Sequence, residues 1–297
     1  MTLPDYTVII ATIDRPDSLG RVLACLAVQE TPPAATIVAD ASAGDETRSL
    51  VRDWSDRLPV RYLRATQRSA ALQRNQGAAL ATTPLLAFLD DDIVFPSDHL
   101  GKLAAVFAQP DAAEVAGVSG RESGMSHPRP RGLLRWYYRL QAGYDHPHYG
   151  GRLFGAALNC VPCYEEETAA LIAADWLPST CVIYRREVFI REQFPAFQEY
   201  SFMEDVHLAA RMARHGRLLF HAGAPFDHHS GSSAFKRNAA ALARHRIVNR
   251  IRVAREVCAQ KGCSLTYRVF LYRVFVTLHF LRARPPQWWQ SIAGTWT

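Results

Sequence analysis

The feature that narrows the fold most is an alternation. Between residues 6 and 92, short β-branched runs take turns with segments of helical spacing. Tyr6–Thr12 is a continuous apolar run of the kind a parallel sheet buries on both faces. After a turn from Asp14 to Asp17, Leu19, Val22, Leu23, Leu26 and Ala27 follow a helical period. Asp17 or Ser18 is placed to cap that helix, and Pro32-Pro33 stops it. Thr36–Asp40 predicts a second strand, 45–55 a helix, Val60–Leu63 a third strand, 70–81 a helix and Leu85–Leu89 a fourth strand. This pattern is the signature of an open, mostly parallel α/β sheet flanked by helices. Ligands of such sheets sit in the crevice beyond the C-terminal strand ends. Thr12, Asp40 and Asp90-Asp91-Asp92 stand at those ends.

The second half is less regular. Residues 120–155 read as a long loop region with one short helix over 133–140, and long loops in compact domains are usually functional. A strand is expected over 178–184, a short helix over 187–193 and a clearer one from Met203 to His215, with Gly216 as its C-terminal cap. Arg217–His221 reads as a strand and Lys236–Lys261 as a long helix.

Charge separates these parts. The chain has 297 residues and a formal charge of +6, but twelve Lys and Arg face one acid, Glu256, from Lys236 to Thr297. The rest is mildly acidic, so the partner of the tail is expected to be phosphate-rich or a membrane surface, and nucleic acid is disfavoured for the body. The expected organisation is a domain over 1–235, with a donor half about 1–118 and an acceptor half about 119–235, followed by a basic helical extension over 236–297.

Thr266–Leu281 is apolar and aromatic but too short to span a bilayer, and Arg273 interrupts it. With Trp288, Trp289 and Trp296 it fits docking to an anionic membrane surface. A second copy of the chain is the other candidate partner. The N-terminus lacks a basic secretory region, and six cysteines without a scaffold spacing read as reduced thiols, so a cytoplasmic protein is expected. Cys160-Val-Pro-Cys163 is a lone pair where a structural zinc needs four ligands. No GxGxxG, GxxxxGK[ST], HExxH or GxSxG is present.

Four groups could carry chemistry. Asp90-Asp91-Asp92 brings together like charges that a divalent cation would offset, or it is a solvated turn before a helix capped by Ser97. Glu204-Asp205 at a helix start either favours the helix dipole or supplies a general base. His228-His229 after a strand is a surface pair, or a ligand if it meets Asp92 in space. Arg74, within Arg74-Asn-Gln-Gly77, either contacts phosphates and carboxylates or lies on the surface.

Taken in order, VIIATIDRPDSLGRVLACLAVQ, Asp40, RNQGAALA, FLDDD, EDVHLAARMARHG and the His pair resemble the family 2 glycosyltransferases over residues 6–230. The resemblance implies a GT-A fold, a Rossmann-like mostly parallel sheet, and transfer of a sugar from a nucleotide-sugar donor to a hydroxyl acceptor with inversion. It implies that Thr12 and Asp40 hold ribose and base, that Arg74 lies beside the nucleotide and its carboxylates with Asp90, and that Asp91 contacts the ribose. Asp92 would hold Mg²⁺ or Mn²⁺, with His228 or His229 as a further ligand. Asp205 would be the general base and Glu204 would orient the acceptor, a lipid-linked species or a growing glycan. Where the family often has Tyr-Asn-Arg after the first strand, this chain has Ile13-Asp14-Arg15, in which Asp14 can still turn the chain at the donor site. The implied setting is polysaccharide or glycolipid synthesis at the inner face of a membrane. Two other classes compete. A nucleotidyltransferase would need a glycine-rich basic loop after the first strand, which is absent. A non-enzymatic membrane or nucleic-acid binder would act through the basic tail.

Overall fold

A computed structural model of the chain describes residues 2–165, 169–197, 202–229 and 238–296. The chain forms two compact units, Met1–Met125 with Glu167–Ser230, and Ser126–Glu166 with Gly231–Thr297. Residues 230–233 after the His pair, and Lys236 and Arg237 at the start of the expected basic helix, lie outside the described residues.

In the first unit the expected elements form in the expected order: β1 (Tyr6–Thr12), α1 (Pro16–Ala27), β2 (Ala35–Asp40), α2 (Glu46–Trp54), β3 (Val60–Arg64), α3 (Ala70–Ala79) and β4 (Leu85–Asp90). Helix α1 begins before Asp17 and Ser18, because Pro16 occupies its first turn with φ already set for a helix; Asp17 instead lies in the acidic first turn. β5 (Ile93–Val94) leads to α4 (His99–Ala105), whose N-cap position is Asp98 and not Ser97; the Ser97 hydroxyl bonds Glu30 instead.

The 120–155 region is more ordered at its start than its composition implies. β6 (Val115–Glu122) is a buried strand whose apolar run is broken by Gly117, Ser119 and Gly120. A Cβ on Gly117 would lie 2.5 Å from the Tyr184 ring, so close packing removed the side chain that would have marked a strand. β9 (Leu171–Ala174), β10 (Cys181–Arg185), α6 (Arg186–Glu192), α7 (Glu204–Met212) and β11 (Arg217–His228) complete the unit. Gly216 does not cap α7, which ends at Met212; a Cβ there would meet the Glu114 carbonyl oxygen at 2.6 Å.

Nine strands among the described residues form one sheet in the order β3-β2-β1-β4-β10-β6-β11-β5, with β9 on β11. β3, β2, β1 and β4 run parallel, as the crossover helices require. β10 runs antiparallel to both β4 and β6, and β11 is parallel to β6. The register Thr12↔Asp40 and Ala11↔Asp90 brings three strand ends to one edge. β11 is longer than expected: its pairing with β6 shifts between Phe220 and Pro225, and its end turns onto β5 with His228 opposite Ile93. Val8, Ile10, Leu23, Val38, Ala87 and Leu103 are fully buried in the core beneath this edge.

The second unit contains α5 (Gly132–Ala142), the hairpin β7 (Leu153–Phe154) and β8 (Leu158–Asn159), α8 (Ala239–Lys261), α9 (Leu265–Ala283) and α10 (Trp288–Trp296). Asn238 caps α8 by accepting from the Ala241 N–H at 3.0 Å. The basic helix is not wholly solvated: Arg250 is buried, donates to the Ala156 carbonyl at 3.2 Å and lies over the Tyr272 ring.

Gly77 is where fold and site meet. An alanine in a helix ordinarily gains about 1 kcal/mol over glycine. Here its Cβ would sit 2.7 Å from Cγ2 of Ile9, a stiff branched side chain of buried β1, and overpacking costs about 1–3 kcal/mol. Gly77→Ala is therefore expected to lower stability in urea unfolding despite its higher helix propensity.

Candidate active site

The turn of α3 that carries Gln73-Arg74-Asn75 organises the sheet edge. Nε2 of Gln73 donates to the carbonyls of Thr12 at 2.8 Å and Ala39 at 2.7 Å, tying the ends of β1 and β2 together. Asn75 exchanges two hydrogen bonds of 2.9 Å with the backbone of Phe194. Between them Arg74, only 4% exposed, donates to Asp90 at 2.5 Å, lies 3.6 Å from Glu204 and rests over the Phe194 ring. A buried guanidinium needs such partners, because an isolated buried charge is costly. Arg74 thus joins the end of β4 to the start of α7.

The Asp triplet divides its tasks. Asp91 is buried and accepts from the Thr12 hydroxyl at 2.6 Å. Burial pushes its carboxyl up to about 6, against the opposing pull of Thr12 and Arg15. Arg15 bridges Asp91 at 3.2 Å and Asp92 at 3.1 Å. The sequence singles out Arg15 only as part of Ile13-Asp14-Arg15, although its place one turn beyond β1 is a strand-end signal. His228 lies between Asp92, at 3.2 Å from Nε2, and Glu122, at 3.1 Å from Nδ1. Its hydrogen bonds to these carboxylates push the imidazole up to about 10. Glu122 is a further site residue that sequence reasoning missed; it ends β6, a strand that the glycines concealed.

The two histidines are placed differently. His229 is exposed and reaches the cluster only through its backbone N–H, which donates to the Asp92 carbonyl at 2.8 Å. His228 is the last residue of β11, and its imidazole turns toward Asp92 and Glu122. Asp90, Asp92 and His228 present ligand atoms within 4.8 Å of one another. Two carboxylates at that spacing fit a divalent cation, and the imidazole can join them as a ligand when it gives up its proton to the incoming ion.

Two sequence candidates stand apart from this cluster. Asp40 is fully buried at the end of β2, and its oxygens accept from Ser42, from the Tyr62 hydroxyl at 2.9 Å and face Arg64 at 3.7 Å. It orders the wall beside the β1–β2 edge, with no exposed face of its own. Asp14 adopts φ 54° at the turn after β1, and its exposed carboxylate pairs with Arg68 at 2.7 Å.

Glu204 and Asp205 open α7 after Met203, whose φ of 66° puts a non-glycine residue in the left-handed region. Such strain is concentrated at functional sites. Glu204 is buried, whereas Asp205 is half-buried and accepts from the Val206 N–H at 2.8 Å. Burial raises both carboxyls above their ordinary range, with mutual repulsion adding to it at Glu204 and the Arg74 charge opposing it. A half-open carboxyl of raised basicity beside a buried partner is suited to accept a proton.

The fold is that of the GT-A glycosyltransferases. A mannosyltransferase from Pyrobaculum calidifontis in complex with GDP-Man and Mn²⁺ superposes with a TM-score of 0.57 at 17% identity, over 99% of this chain and 85% of that one. GalNAc-T7 with UDP, GalNAc and Mn²⁺ gives 0.58 at 14%, over 84% and 49%. Residues 7–168 match Glycosyl transferase family 2, and the chain belongs to that family. A validoxylamine A glucosyltransferase from Streptomyces hygroscopicus subsp. limoneus is 37% identical over 117 residues, 38% of this chain. The match spans 26% of that relative's length, and this chain therefore covers about a quarter of it.

Arg74 is a buried cation held by the half-buried Asp90 and the buried Glu204 at once. Arg74→Met is expected to cost about 3–5 kcal/mol in thermal or urea unfolding, the usual cost of leaving buried charge uncompensated. Arg74→Lys restores little, since one ammonium cannot reproduce the fork between Asp90 and Glu204.

Proposed function

We propose that the chain transfers a sugar from a nucleoside-diphosphate donor to a hydroxyl acceptor, with inversion at the anomeric carbon. The observation that carries this reading is the joining of two acidic groups across Arg74: Asp90 and Asp92 with His228 on one side, Glu204 and Asp205 on the other. Membership of the family and the GDP-Man and UDP of its structural neighbours support a nucleotide-sugar donor.

The donor half, about 1–118, would place the nucleotide beyond β1, β2 and β4, with Thr12 and Asp91 toward the ribose and Asp40 ordering the base-side wall. Asp90, Asp92 and His228 would hold the cation, and the imidazole favours Mn²⁺ over Mg²⁺, which prefers oxygen ligands alone. Such an ion supplies positive charge to the diphosphate as its bond to the sugar breaks. Asp205 takes the proton of the acceptor hydroxyl, whose oxygen forms the new bond to the anomeric carbon. The electron pair of the old bond leaves with the nucleoside diphosphate. Glu204, fixed by Arg74, orients Asp205 and the acceptor. The acceptor side would come from 119–235, and 236–297 would form the basic extension. The acceptor would be a lipid-linked species or a growing glycan, used in polysaccharide or glycolipid synthesis at the cytoplasmic face of a membrane.

Titration calorimetry with UDP, GDP and dTDP, with and without Mn²⁺, tests the donor site. One diphosphate is expected to bind in a metal-dependent way and to lose that dependence in Asp92→Ala; no binding of any of the three overturns the reading. Asp205→Asn is expected to reduce transfer by about 10²–10⁴-fold while retaining nucleotide binding.

The pH dependence has a definite sign. A base must be ionised to act, and a raised pKa moves loss of activity on acidification to higher pH. The acid limb of kcat/KM is expected above pH about 4, the ordinary value of a solvated aspartate. Burial and the charge of Asp205 push Glu204 up to about 8, so Glu204 is neutral while Asp205 ionises, and Glu204→Gln is expected to leave this limb in place in a pH profile of kcat/KM.

A further inference from the structure

The second unit turns an unusual set of side chains to solvent. On α5, Leu133 is 88% exposed, Trp136 59% and Leu140 43%. On α9, Tyr267 is 43% exposed, Phe270 54%, Leu278 61% and Leu281 43%, and the helix has no fully buried residue. At 3.6 residues per turn each set forms one stripe: i, i+3, i+7 on α5, and i, i+3, i+11, i+14 on α9.

The two stripes lie on one side of the unit. Tyr137 stacks on Phe275 at 4.0 Å, and Gln141 donates to the Arg268 carbonyl at 2.9 Å. Rising numbers on α5 thus meet falling numbers on α9, and the pair is antiparallel. Each stripe is displaced from the contacting residues by roughly a quarter turn in the same rotational sense. In an antiparallel pair, equal rotation brings both stripes to the same side. Trp296, whose ring packs against Phe270 at 6.5 Å, extends the α9 stripe.

Charge identifies the occupant. α5, α9 and α10 carry no acidic residue, and α5 and α9 hold Arg139, Arg268, Arg273 and Arg282, beside Arg135, which Asp145 pairs at 2.9 Å. Arg139 lies over the Trp136 ring at 5.2 Å, an apolar stem with its charge beside an aromatic. A second copy seated on this face would oppose cation to cation. An anionic bilayer accepts both features: aromatic and aliphatic side chains enter the headgroup boundary while arginines meet lipid phosphates. No helix among the described residues is long and apolar enough to cross a membrane, so α9, about 28 Å long at 1.5 Å per residue, would lie along the surface.

We propose that the α5–α9 face docks the protein peripherally on an anionic phospholipid bilayer through the Leu133/Trp136/Leu140 and Tyr267/Phe270/Leu278/Leu281 stripes. This deepens the membrane setting of the functional reading and needs none of its chemistry. The test is flotation of the full chain with vesicles of phosphatidylcholine alone or with phosphatidylglycerol, beside its oligomeric state in solution. Binding is expected only with the anionic lipid, to weaken with salt, and to disappear in Trp136→Glu/Phe270→Glu, whose side chains are exposed and whose circular dichroism should be unchanged. Arg139→Gln and Arg282→Gln should each weaken binding about fivefold. No flotation with anionic vesicles, flotation that survives the double substitution, or a dimer abolished by it without vesicle binding would overturn the proposal. Nucleoside-diphosphate binding in the same variant is independent: its loss in wild type would sink the donor site and leave the docking result standing.

Discussion

Arg74 is the constraint on which the candidate site depends. It is a buried cation, and it can stay buried only while Asp90 and Glu204 reach it from different parts of the chain. Those carboxylates in turn tolerate burial because the guanidinium lies between them. One ion-pair system therefore sets the end of β4 and the start of α7 together. The residues around it extend the same logic: Gln73 closes the ends of β1 and β2, Asn75 clasps the backbone beneath the Arg74 ring contact, and Gly77 lets α3 approach β1. A short polar turn on one helix thus orders five segments: the ends of β1, β2 and β4, the start of α7 and the backbone at Phe194.

The acidic cluster shows how a sheet edge concentrates charge and then manages it. Asp90, Asp91 and Asp92 would repel one another in isolation, and each is given a different compensation. Asp90 has Arg74, Asp91 has the Thr12 hydroxyl and Arg15, and Asp92 has Arg15 and His228. That arrangement leaves Asp90, Asp92 and His228 as donors at one point of the crevice, where the strand-end rule expects a ligand. The surface of the second unit follows the opposite principle. There cations and apolar rings face solvent on helices α5, α9 and α10 that carry no acid of their own, although Asp145 pairs with Arg135, and that composition has affinity for an anionic interface.

Much of this was legible because local and global signals agreed. β1 through β4 and their helices read correctly from β-branched runs and helical periods, since a parallel sheet buried on both faces leaves continuous apolar stretches. Thr12, the Asp triplet and Glu204-Asp205 stood out by their places at strand and helix ends, whereas Arg74, in the middle of α3, stood out as an arginine able to contact phosphates and carboxylates. β6 was not legible, because Gly117 and Gly120 replace side chains where other groups pack close. Glu122 was lost with it. The placing of the His228 side chain at Asp92 depends on the turn of β11 onto β5, which no local pattern marks.

The sequence by itself determined the α/β class, the parallel order of the first strands, the acidic strand end and the basic C-terminal helices, in which Glu256 is the one acid. These depend on neighbours within a turn or two, where periodicity, propensity and charge are written locally. Only the tertiary structure decided that Arg74 spans Asp90 and Glu204, that Asp40 is enclosed by Ser42, Tyr62 and Arg64, that β10 enters the sheet antiparallel, and that the α5 and α9 stripes share one side. Each of those joins residues far apart in the chain. Their contact depends on register and packing direction, which no local pattern encodes.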